Sequence, residues 1–106
     1  MKGARDQKRV SEPNPITVDG LDLVWEKRHP IFLDWRQELK GVSVSVWRTP
    51  GRTRELILDV HFEVFGIDRI PNTDRWNEVL SRAIRSAREA GWDPESRGAA
   101  RRHTPV

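Results

Sequence analysis

The stretch Val42-Ser43-Val44-Ser45-Val46-Trp47, continued after a break by Leu56-Ile57-Leu58-Asp59-Val60-His61-Phe62-Glu63-Val64-Phe65, carries the strongest pattern in the chain. Val42, Val44 and Val46 alternate with Ser43, Ser45 and Trp47. Leu56, Leu58, Val60, Phe62 and Val64 alternate with Ile57, Asp59, His61, Glu63 and Phe65. Apolar residues at every second position mark a strand with one buried face. Thr49-Pro50-Gly51-Arg52-Thr53 supplies Pro and Gly between the two runs, so the pair reads as a long antiparallel hairpin. Its apolar face buries about 12–20 kcal/mol worth of side chain before the entropy of ordering is subtracted.

Upstream, Asp19-Gly20 stands between two shorter alternating stretches. Asp-Gly is a strong two-residue hairpin signal, because Gly accepts positive φ without steric cost. Strands are expected over 16–18 and 21–28, with Leu21, Leu23 and Trp25 on one side and His29-Pro30 as the stop. Residues 31–40 read as an irregular or short helical connection, with a strand, in which Ile31, Leu33 and Trp35 alternate with Phe32 and Asp34, as the alternative. Pro30 suits a first helical position and Gly41 the residue past the end, with Ile31, Trp35 and Leu39 on one face.

Downstream, 66–72 is a loop, and a long helix follows from 74 to 90. Trp76, Val79, Leu80, Ala83, Ile84, Ala87 and Ala90 recur at helical spacing. Arg75, Glu78, Arg82, Arg85 and Glu89 occupy the far side, with Glu78–Arg82 and Arg85–Glu89 spaced as i, i+4 ion pairs. Thr73 or Asp74 caps the start, Gly91 suits a left-handed stop, and Trp92 can fold back on Ala87. A sheet with one apolar face needs a cover, and this helix has the matching stripe. The fold expected is α+β: a two-layer sandwich in which an antiparallel β-meander of three to four strands is covered on one face by a C-terminal amphipathic helix.

At 106 residues the chain has room for one domain, assigned to 16–94. Residues 1–15 hold four Lys/Arg against two acids and 95–106 three against one, while 16–94 holds twelve against thirteen. The excess behind the pI of about 9.9 therefore lies in the two ends, which read as disordered basic tails. A nucleic-acid-binding face concentrates its basic residues on the folded domain, so nucleic acid is a permitted but not a favoured partner. The absence of cysteine removes disulfides, thiolate nucleophiles and Cys-rich zinc sites, and suits a cytoplasmic protein. No apolar run approaches the ~20 residues that span a bilayer, so no membrane partner is expected.

The second face of the hairpin is where function is expected. Asp59-x-His61-x-Glu63 aligns three metal-ligand types on one side of a strand. Same-face neighbours are about 6.8 Å apart, so two can share an ion while a third strains to reach it. An ordinary solvated sheet face is the plainer reading; no metal or cofactor is expected, and a metal-assisted hydrolase is kept as an alternative. Ser43 and Ser45 lack a nucleophile elbow, and no Gly-rich phosphate loop is present, so no catalytic residue is assigned. Trp47 with Arg48, Arg52 and Arg54 forms an aromatic-basic corner, suited to a protein partner or to stacking on single-stranded nucleic acid. The leading expectation is a non-enzymatic protein-interaction domain. Its candidate surface is Trp47, Arg48, Arg52, Arg54, Ile57, Asp59, His61, Glu63 and Phe65, and a weak homodimer is its simplest complex.

Ala87-Arg88-Glu89-Ala90-Gly91-Trp92-Asp93-Pro94, followed by Glu95-Ser96-Arg97-Gly98, resembles the ending of small uncharacterised bacterial α+β proteins, in which a few strands precede a helix and a Gly-Trp-Asp-Pro ending. Looser similarity runs through 41–62. The resemblance implies a helix stop with a tryptophan anchor, and no activity or functional residue follows from it.

Overall fold

The run 42–47 forms part of the middle strand of a five-stranded sheet in a computed structural model that describes residues 13–32, 35, 37–48 and 54–106. The strands are β1 (Asn14–Val18), β2 (Leu21–Phe32), β3 (Leu39–Arg48), β4 (Leu56–His61) and β5 (Arg101–His103). A 3-10 turn follows β4 at Phe62–Phe65, and helix α1 spans Thr73–Glu89. The strands lie in the order β1-β2-β3-β4-β5. The first four form an antiparallel meander, and β5 runs parallel to β4. A parallel return needs a crossover long enough to carry the chain back, and α1 provides it. The result is an α+β fold with an antiparallel-rich sheet and one C-terminal helix. No helix among the described residues is long and apolar enough to cross a membrane.

The β1–β2 turn forms as its sequence requires, with Asp19 at φ 52° and Gly20 at φ 81°, the paired left-handed residues of a tight hairpin. Arg85 on α1 reaches this turn, its Nε donating to the two Asp19 carboxylate oxygens at 3.1 and 3.2 Å. β2 then runs past the expected stop to Phe32, with a register shift between Lys27 and His29. Pro30 is tolerated there because β1 reaches only to Trp25. Beyond that point the outer edge of β2 has no neighbouring strand among the described residues, and a proline costs no ladder bond. The irregular or short helical connection expected over 31–40 is therefore corrected at its two ends, where Ile31 pairs with Gly41 and Phe32 with Leu39, while 33, 34 and 36 lie outside the described residues. Gly41 is required there, since a Cβ would run into the Val60 backbone carbonyl.

The core lies between β-sheet and helix. Val42, Val44, Val46, Leu56, Leu58 and Val60 are buried with Trp76, Val79, Leu80, Ala83, Ile84 and Ala87 of α1. Trp25 meets Trp76 edge to face, with ring centroids 6.1 Å apart. β4 is shorter than its alternation suggests. It ends at His61, and the 3-10 turn puts Phe62 and Phe65, three residues apart, on one side, where both are buried. Val64, expected on the apolar face, is left 37% exposed.

Asn72, not Thr73 or Asp74, caps α1, its side chain accepting the Arg75 amide at 2.9 Å. The surface pairs also differ from the i, i+4 expectation. Arg75 pairs with Glu78 at 2.8 Å, and Arg82 lies over the Phe65 ring at 5.0 Å. At the far end, the Gly91 amide donates to Arg88 O and the Trp92 amide to Ala87 O, both at 3.0 Å, which is a Schellman stop. Trp92 is 2% exposed, and its indole N–H donates to the Arg54 carbonyl at 3.0 Å.

The segment 95–106 is not a tail. Its residues Arg101–His103 are β5, opened by the Arg101 amide donating to Glu55 O at 2.9 Å. The side chains alternate as in any strand. Arg101 Nη2 donates to the Ala90 carbonyl at 2.7 Å and His103 Nε2 meets Ser86 Oγ at 2.9 Å, both on the helix side. Arg102 turns the other way, to Asp59. A guanidinium on the last helical carbonyls is favoured by the helix dipole. Hydrophobic periodicity cannot report a strand that is held by charge and hydrogen bonds. Of the other expected tail, Asn14 and Pro15 belong to β1, and residues 1–12 lie outside the described residues.

Trp92→Ala is expected to destabilise the fold by about 3 kcal/mol or more, since a full indole leaves the core. Trp92→Phe should cost less, about 1–2 kcal/mol, because the Arg54 carbonyl loses its donor while most of the ring volume stays. Denaturant midpoints of the two variants measure both. A midpoint unchanged in Trp92→Ala would place this ring outside the core.

Candidate functional site

The face of the sheet away from α1 is built from small residues on β3 and longer ones on its neighbours. Register sets Glu26 and Ile57 on either side of Ser45, and His29 and Asp59 on either side of Ser43. Ser43 and Ser45 are both buried, because taller side chains on β2 and β4 close over the short β3 row. Arg28, at the β2 register shift, donates from Nη1 to Ser45 Oγ at 3.1 Å. The Ser45 oxygen thus acts as an acceptor for a cation, the opposite of what an activated nucleophile requires. A shallow depression of ≈ 360 Å³ lies here, walled in part by Glu26, Arg28 and Glu55.

The structure does not bring the expected surface together. Trp47 is 5% exposed instead of projecting from the sheet, and Phe65 is in the core because the 3-10 turn ends the alternation. Glu63 leaves the strand in the same turn and is exposed, so Asp59, His61 and Glu63 do not line up on one strand. Among the described residues no three His, Cys, Asp or Glu groups converge as a metal site. Ile57 and His61 remain half-buried on β4. Arg48 pairs with Glu95 at 3.1 Å. Arg54 is bound on three sides: its amide donates to Ser96 O, its Nε to Ala99 O at 3.1 Å, and its carbonyl accepts from Trp92. Arg52 lies outside the described residues. The aromatic-basic corner is thus met by the chain's own 92–99 segment, of which 95–99 was read from composition as tail.

Asp59 is the carboxylate that β5 meets on this face. Burial pushes its pKa up, but the Arg102 guanidinium overcomes this through two hydrogen bonds, 2.7 and 3.2 Å long, and its charge. The nearby Ser43 hydroxyl and His61 add smaller contributions, and the net effect holds Asp59 below its ordinary value. Ser43 Oγ has no partner at hydrogen-bonding geometry, so its contribution is that of a nearby dipole. The pair makes Asp59 a clamp for β5 and removes it from service as a metal ligand.

Ser86 Oγ and His103 Nε2 form a nucleophile–base juxtaposition of which sequence spacing gave no sign. Ser86 sits inside α1, where backbone N–H groups are committed to the helix and cannot form an oxyanion hole. The contact reads as a latch between β5 and α1. Sequence reading did not offer Phe32 and Trp35 as part of the candidate surface; they are 45% and 75% exposed at the loop end of the β2–β3 hairpin.

Because Asp59 titrates lower in the folded chain than in the unfolded one, its pairing stabilises the fold above the ordinary carboxylate range. That contribution is lost as pH falls through the lowered value. In Arg102→Gln the Asp59 carboxyl should titrate upward, toward its ordinary value, and the acid limb of the stability curve should flatten. Carboxyl ¹³C NMR titration measures the first and denaturation across pH the second; an unmoved Asp59 titration would assign the shift to another cause. No protein-family model, no curated protein and no solved structure matches this chain.

Proposed function

We propose that the protein is a non-enzymatic, cytoplasmic protein-interaction domain that docks through the loop end of the β2–β3 hairpin. The observation that carries this reading is the exposure of Trp35 and Phe32, 75% and 45%, on a chain that buries its other four tryptophans. Large exposed aromatics act as anchors in protein interfaces, with Trp the most enriched of them. Half-exposed Val64 lies at the same end of the sheet, since His61 at the end of β4 pairs with Gly41 and the 3-10 turn follows.

The mode of docking follows from what the neighbouring edge does. Beyond Trp25 the outer edge of β2 carries Lys27, Arg28, His29 and Pro30 and a register shift. Charge, proline and irregularity are the devices by which sheets resist strand addition. Contact through side chains at the hairpin end therefore fits better than sheet extension. A second copy is the simplest partner, because one self-complementary patch closes a twofold dimer.

The test is sedimentation velocity over a hundredfold concentration range in low and high salt. Weak self-association is expected for the wild type, insensitive to salt and lost in Trp35→Ser. A wild type that stays monomeric throughout would contradict self-association. Binding of a single-stranded oligonucleotide that weakens steeply with salt would instead support the nucleic-acid alternative.

A further inference from the structure

β1 is an edge strand, and among the described residues no strand lies beyond it. Across the two-residue turn Asp19-Gly20, the flanking Val18 and Leu21 exchange the first ladder bonds. Along the register that follows, Val18, Ile16 and Asn14 direct their backbone groups to β2, and Thr17 and Pro15 direct theirs outward. The edge thus presents the Thr17 N–H and the carbonyls of Thr17 and Pro15, while Pro15 has no donor to offer. None of these groups bonds to another element among the described residues. The uncovered part of the β2 edge carries Lys27, Arg28 and His29, whereas Asn14–Val18 has no charged side chain to resist an added strand. Pro15 limits such a strand without forbidding it, because a single donor between two acceptors fixes one register centred on Thr17.

Beside this edge runs a depression of ≈ 540 Å³, with Ile16 and Thr17 on one side and Asp74, Asn77, Glu78 and Ser81 of α1 on the other. The four helix residues are spaced i, i+3, i+4, i+7 and share one face. The charged groups among its described walls are both carboxylates. Glu78 is already paired with Arg75, while Asp74 has no ion pair among the described residues, so it carries the uncompensated charge. Unmet backbone groups along an edge select an extended chain, since a strand offers donors and acceptors at the matching spacing. In an added antiparallel strand, the residue opposite Thr17 turns away from α1. Its two neighbours turn toward α1, as the buried Ile16 and Val18 do, and meet the acidic wall. We propose that the groove between β1 and α1 binds an extended segment of a partner protein as an antiparallel edge strand, with basic side chains on both sides of the residue that pairs with Thr17. This surface shares no residue with the loop end of the β2–β3 hairpin, so the two readings stand or fall separately.

The test is titration of ¹⁵N-labelled full-length protein with the blocked peptide acetyl-Val-Lys-Val-Lys-Val-amide, followed at the backbone amides. Its counterparts are the same peptide with Glu at both Lys positions and the same peptide N-methylated at its central valine. The Lys peptide should saturably shift the Thr17 amide and slow its exchange, and leave the amides of β5 in place. The Glu and N-methyl peptides should each bind about tenfold more weakly, the first through charge and the second by losing the donor to the Thr17 carbonyl. Thr17→Pro removes the outward N–H without breaking a bond to β2, and should weaken binding about tenfold. Asp74→Asn should weaken it severalfold at low salt. The indole signal of Trp92, bonded to the Arg54 carbonyl, reports that each variant is folded. A Thr17 amide that stays still up to the solubility limit, equal binding of the Glu or N-methyl peptide, or undiminished binding by both folded variants would each overturn the proposal. So would Thr17 protection that rises with protein concentration in the absence of peptide, which would put a second copy on this edge.

Discussion

The indole of Trp92 fixes where the chain goes after the helix, and much of the molecule depends on that. Its backbone amide closes the Schellman stop on Ala87, while its ring, seated in the core, donates to the Arg54 carbonyl just ahead of β4. One side chain thus ties the end of α1 to the entry of the strand that α1 must return to. From that point the segment after the helix runs alongside Arg54 and Glu55, and Arg101–His103 adds to the sheet as a parallel edge. Without the anchor, three polar residues would have little reason to become a strand, since a strand of this length gains little from its own pairing.

This anchored return changes the chemistry of the far face. Arg102 arrives opposite Ile57 and meets Asp59, which converts a carboxylate that sequence offered as a metal ligand into one half of an ion pair. Arg48 and Arg54, which composition offered to nucleic acid, are engaged by Glu95, Ser96 and Ala99. At the other end of the sheet the β2–β3 hairpin extends beyond β1, and the rings of Phe32 and Trp35 are 45% and 75% exposed.

The sequence was most legible where burial sets the pattern. The alternation in 42–47 and 56–61, the Asp19-Gly20 turn, the stripe on α1 and the Gly91-Trp92 stop all correspond to the observed elements, because each rests on apolar spacing or on a backbone conformation that few residues accept. It was least legible where polar contacts decide. Arg101-Arg102-His103 has no apolar face to reveal a strand, and its three partners, Ala90, Asp59 and Ser86, lie far away in sequence. Trp47 follows its strand period correctly onto the second face, but whether that face is open is a tertiary question, and here it is closed. In Phe62–Phe65 the period changes from two to three within one turn, and alternation carried past that point assigns Val64 and Phe65 to the wrong sides.

The central claim is that the segment following Trp92 is an integral part of the sheet, and amide hydrogen exchange tests it most directly. The Arg101 amide, bonded to Glu55 O, should exchange at least ~100-fold more slowly than an unstructured peptide, as part of the same cooperative unit as β4. In Trp92→Ala this protection should be lost while the pairing of β2 with β3 persists. An Arg101 amide that exchanges at the unstructured rate in the wild type, with β3 and β4 fully protected, would contradict the account.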